Sequence, residues 1–166
     1  MKNESLKKIS DLINKDLSHL DDEFVVPVGE IAEQIGLEIE FINMQDGHSG
    51  RLEGKKIYIN DKYPATRNLF TIAHEIGHYI LTLHNNSNNT LNCKNRFDDV
   101  KTYSSEELKE EKEANEFAAN LLMPSEKFIN IYQKYDQNID KIASFFGVSK
   151  VACQYRAINL GLIDCI

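Results

Sequence analysis

His74 and His78 stand four residues apart in the run TIAHEIGHYILTLH, residues 71–84, with Glu75 directly after the first of them. On a helix, side chains four apart project from one face about one turn apart, so both imidazoles can reach a single tetrahedral ion. With the glutamate between them the pattern is HExxH, in which the carboxylate binds no metal but works as base and acid on a metal-activated water. HEIGH keeps that order. The same residues would also suit a core helix whose histidines are merely hydrogen-bonded, so a third ligand has to decide.

Two places offer one. His84 occupies the last position of HExxHxxGxxH, but that geometry needs a glycine turn after the second histidine. Leu81 stands there instead, in good helix sequence, which carries His84 round to another face. The alternative is a glutamate from a second helix, EELKEEKEANEFAANLLMP. At roughly 100° per residue its apolar stripe is Leu108, Ala114, Phe117, Ala118, Leu121 and Leu122; Glu111 falls about 35° from the centre and Glu113 roughly 120° or more away. Glu111 is therefore the expected ligand and Glu113 its rival. An inward carboxylate needs a partner, and an ion held by His74 and His78 provides one. Asn115, one turn on, is placed to hold a ligand histidine from behind, and Ala114 and Ala118 allow close approach of the two helices.

The elements that position these residues follow from periodicity. Leu6, Ile9, Ile13 and Leu17 predict a helix over residues 3–18, and VGEIAEQIG predicts a short one after Pro27 that stops at Gly36. From Leu37 the period changes to two, so residues 37–60 read as a meander of about three strands around Gly54. The HEIGH helix is expected from about Thr66, after Pro64, to about Leu83. The Asn-rich stretch after it breaks all periodicity and is expected to be a loop or lid. Ser104 and Glu107 match a capping box and Pro124 is a stop, which brackets the EEKEAN helix. Two or three helices fill residues 125–160. The fold class is α+β: one mostly helical domain over residues 1–166, with a small antiparallel or mixed sheet and the HExxH helix packed against the helix carrying the third ligand.

A chain of 166 residues can bury one proper core. Its 26 acids against 19 bases, a formal charge of -7, exclude capture of nucleic acid by the surface at large. No apolar run is long enough for a signal peptide or a membrane span, and Cys93, Cys153 and Cys165 form no CxxC pair, which points to the cytoplasm.

HEIGHYIL followed by ExEANxFAxxLLMP, here Glu111, Glu113, Ala114, Asn115, Phe117, Ala118, Leu121, Leu122, Met123 and Pro124, resembles the ImmA/IrrE family of zinc-dependent peptidases. Ile57 to Asn60, the lead-in from Arg67 to Phe70 and the closing FGVSKVACQYRAINLGLI are similar to that family too, so the likeness covers roughly residues 25–163. It implies a cytoplasmic zinc endopeptidase that cleaves a helix-turn-helix transcriptional repressor and so derepresses phage, mobile-element or stress genes. It also implies zinc ligation by His74, His78 and Glu111, with Glu75 as general base and acid. Tyr103 is a candidate oxyanion donor, and Cys93 a candidate inhibitory thiolate. The strands near residues 50–60 are the candidate edge for an extended peptide.

Two other classes compete. Residues 138–161 have the pattern of a helix-turn-helix, with a second helix starting near Ser149, which would make the chain a DNA-binding regulator. Residues 138–166 carry only Lys141, Lys150 and Arg156 against Asp140 and Asp164, a thin basis for gripping phosphates, so direct DNA binding is not expected. The other class is a non-catalytic repressor-binding protein or a component of a toxin and antitoxin pair.

Overall fold

The computed structural model describes residues 24–45, 47–84 and 104–164. The helix expected over residues 3–18, the Asn-rich stretch with Cys93 and Tyr103, and Cys165 lie outside them. Helix α1 (Val28–Gln34) leads to strands β1 (Glu38–Ile42), β2 (Gly50–Glu53) and β3 (Lys56–Asn60). Helices α2 (Ala65–His84), α3 (Ser105–Leu122), α4 (Ser125–Lys134), α5 (Ile139–Phe146) and α6 (Lys150–Asn159) follow. The described part is thus a mostly helical α+β fold with a small mixed sheet.

Local chemistry sets most boundaries. Past α1 the chain turns through Gly36 at φ 81, where Gly36 N–H donates to Glu33 O and Leu37 N–H to Ala32 O, closing the helix end. At the start of α3, Ser104 Oγ accepts from Glu107 N–H at 3.2 Å while Glu107 Oε2 accepts from Ser104 N–H at 3.0 Å, the reciprocal pair expected from the sequence. Its other end stops before Pro124.

The sheet corrects one expectation. A meander would put β2 in the centre, whereas the order is β1-β3-β2, with β1 parallel and β2 antiparallel to β3. The most buried strand takes the middle: Ile57 and Ile59 are fully buried and Asn60 nearly so. Asn60 Nδ2 donates to Met44 O at 3.2 Å and His48 O at 2.7 Å, tying the link between β1 and β2 to the end of β3 and carrying the chain to its far side. β2 is left as an edge strand, seated against α2.

Helix α2 runs through the middle of the molecule, in contact with α1, β2, β3 and α3. From Thr71 to Tyr79 and Ile80 every residue but His74 is buried, so the polar groups of Glu75 and His78 are enclosed along with the apolar ones. Helix α3 lays Ala114, Ala118, Leu121 and Leu122 inward, and Phe24, Phe128, Phe145 and Phe146 form an aromatic cluster among the later helices, with ring centroids 5.0 to 5.8 Å apart. Each of the buried leucines and phenylalanines contributes about 1.5–3 kcal/mol.

In the carboxyl-terminal helix pair, Gly147 at φ 62 ends α5 and the Ser149 side chain caps α6. Two of its cations are engaged within the fold. Arg156 is 5% exposed and reaches back to α3 and α4: Nε donates to Met123 O at 2.9 Å, and Nη2 to Asn120 Oδ1 at 2.8 Å and Ser125 Oγ at 2.9 Å. Lys150 is paired with Asp140 at 2.6 Å.

Candidate metal centre

His74 and His78 leave α2 one turn apart, and α3 crosses in front of them with Glu111. The Nε2 atoms of the two histidines are 3.0 Å apart. Glu111 Oε2 lies 3.4 Å from His74 Nε2, and Oε1 lies 3.5 Å from His78 Nε2. Two imidazole lone pairs that close repel unless a proton or a cation lies between them. Ligands about 2.1 Å from a tetrahedral ion are about 3.4 Å from one another, so the three separations suit one small cation. Two imidazoles and a carboxylate are also the donor set that zinc takes when one position is left open.

Asn115 supplies support from behind. Its Oδ1 is 3.0 Å from His74 Nδ1, and since an amide oxygen only accepts, this contact favours the tautomer with the hydrogen on Nδ1. Glu75, in the turn between the histidines, is 2% exposed, and His78 is 8% exposed. A carboxylate so enclosed is costly unless it faces a positive or proton-bearing group. Among the described residues no helix is long and apolar enough to cross a membrane.

The rival candidates fall elsewhere. Glu113 turns outward and approaches Lys109 Nζ at 3.8 Å one helical turn back. Helix α2 continues without a break through Leu81 to His84, so the turn that would bring a third histidine round is not made. The structural roles of three residues went unread in the sequence. Gly77, Asn60 and Arg156 respectively face α3, tie down the β1–β2 link and brace the end of α3. A glycine inside an otherwise strong helix was the available signal for Gly77, and the i, i+3, i+4 spacing of Cys153, Arg156 and Ala157 was the signal that Arg156 faces inward.

The chain is 31% identical over 107 residues to the metallopeptidase ImmA of Bacillus subtilis (strain 168), an alignment covering 63% of this chain and 56% of that protein. Its fold is similar to that of a Mycobacterium tuberculosis transcriptional regulator, with a TM-score of 0.61 and 15% identity, over 95% of this chain and 47% of the other. The chain therefore spans about half the length of each. Residues 32–157, from α1 to the last turns of α6 and including all four residues of the centre, match the family model described as Peptidase_M78, IrrE N-terminal-like domain, and the chain belongs to that family.

Proposed function

We propose that the chain is a zinc-dependent endopeptidase whose substrate is a helix-turn-helix transcriptional repressor. The observation that carries this reading is the convergence of His74, His78 and Glu111 on one point, with Glu75 buried in the turn between the histidines. In this reading His74, His78 and Glu111 would hold zinc, which when bound would supply Lewis acidity toward a water and the scissile carbonyl. Glu75 takes the proton of the attacking water and passes it to the departing amine nitrogen. Asn115 keeps the His74 ring in the tautomer that presents Nε2 outward. The edge of β2, which pairs with no further strand among the described residues and lies beside α2, receives the substrate as an added extended strand, so that main-chain hydrogen bonds hold it before cleavage.

The repressor as substrate rests on the family likeness and on a relative named as a metallopeptidase. A DNA-binding role for the carboxyl-terminal helices is disfavoured by the burial of Arg156 and the pairing of Lys150 with Asp140. The test is to incubate zinc-loaded protein with purified helix-turn-helix repressors encoded near its gene and to map fragments by mass spectrometry, with Glu75→Gln as the control. Cleavage by the wild type, slowed about 10²–10⁴-fold in Glu75→Gln, is expected. Stable binding of a repressor that stays intact under the same conditions would replace the peptidase with a non-catalytic regulator.

A further inference from the structure

We propose that Gly77 is a positioning residue of the metal centre, fixing how closely α3 lies against α2 and so whether Glu111 and the two histidines can share one ion. The proposal rests on the metal-binding reading above and adds a residue that takes no part in ligation. Glycine weakens a helix interior relative to alanine, so its presence in the middle of α2 needs a reason other than helix formation.

The reason lies across the interface. A Cβ at Gly77 would sit 3.2 Å from Ala114 Cα, 3.2 Å from Ala114 O and 3.1 Å from Phe117 Cδ1. Ordinary contacts of this kind are longer by a few tenths of an ångström. The Phe117 ring can turn aside. The Ala114 backbone can yield only if α3 moves, and trimming the Ala114 side chain would not relieve it.

Ala114 is flanked by the residues that touch the histidines. Glu111, one turn earlier on α3, approaches both His74 and His78, and Asn115, the next residue, contacts His74. The Gly77–Ala114 contact therefore sets the spacing of the centre itself. Metal–ligand distances tolerate only about 0.2 Å of departure, which is no more than the displacement an added methyl would impose. Glycine at 77 is in this account the condition for a carboxylate from α3 to complete a pair of histidines from α2.

The experiment compares apo wild type, Gly77→Ala and Gly29→Ala. Gly29 is also helical, in α1, but a Cβ there meets nothing within 4 Å. Each protein is titrated with Co²⁺ while the visible absorption is recorded, and zinc affinity is measured by competition with a chromophoric chelator. Circular dichroism and thermal unfolding of the apo forms are followed in parallel. Gly77→Ala is expected to remain folded, to bind metal about 10–100-fold more weakly and to give an altered cobalt spectrum, whereas Gly29→Ala matches the wild type. Metal binding by Gly77→Ala within about twofold of the wild type, with the same spectrum, would overturn the proposal. So would a Gly77→Ala chain that does not fold, since the contact would then be general core packing. A wild type that binds no metal would instead bring down the metal-centre reading, and this inference with it.

Discussion

Replacing Arg156 by methionine keeps most of the side-chain volume and removes the guanidinium that spans Met123, Asn120 and Ser125. Asn120 and Ser125 are exposed and can turn to water, so each lost bond there costs about 0.5–1 kcal/mol. Met123 is 1% exposed, and its carbonyl, at the end of α3 where no helical N–H follows, would be left buried and unsatisfied at a cost of about 1–3 kcal/mol. The recovered desolvation of the guanidinium offsets part of this, which leaves a net loss of about 3 kcal/mol. For a chain of this size that lowers Tm by roughly 6–12 °C. Arg156→Lys should fall between, because an ammonium reaches one acceptor but cannot fork to three. The assay is urea and thermal unfolding of the metal-free protein. A loss below about 1 kcal/mol, with the helices intact by circular dichroism, would refute the view that this arginine braces the α3–α4 corner.

Two further outcomes follow from the same geometry. Asn115→Ala frees the His74 tautomer and is expected to weaken zinc binding about tenfold without loss of fold, measured by chelator competition; unchanged affinity would show that the hydrogen bond does not orient the ring. Burial pushes the Cys153 thiol from an ordinary 9.0 up to about 12, so the folded state holds that proton more tightly than the unfolded one. Its contribution to stability is intact below pH 9 and is lost as the pH rises toward about 12, which urea unfolding of wild type against Cys153→Ala checks, the wild type showing the steeper decline over that range.

Much of the centre was legible in the chain because helical geometry is local. The four-residue step from His74 to His78 fixes their common face whatever surrounds them, and counting angles along EELKEEKEANEF separates Glu111 from Glu113. The capping box at Ser104 and the stop at Pro124 are likewise written in a few adjacent residues. What could not be read depends on contacts between distant segments. The order β1-β3-β2 goes with Asn60 gathering the carbonyls of Met44 and His48, contacts that no alternation of apolar residues encodes. Arg156 carries a charge that counts toward DNA binding in any tally of basic residues, yet the fold spends it on the end of α3. Gly77 has no side chain to interpret, and its meaning is visible only once Ala114 is beside it.

The most direct test of the account is the zinc content of purified wild type, His78→Ala and Glu111→Ala, determined by elemental analysis after exposure to zinc and exhaustive dialysis. Stoichiometric zinc in the wild type, lost from both folded variants, is the predicted result, because each variant removes one of the three proposed ligands. A folded wild type that retains no zinc, or a Glu111→Ala variant that holds it as well as the wild type does, would contradict a centre built from α2 and α3.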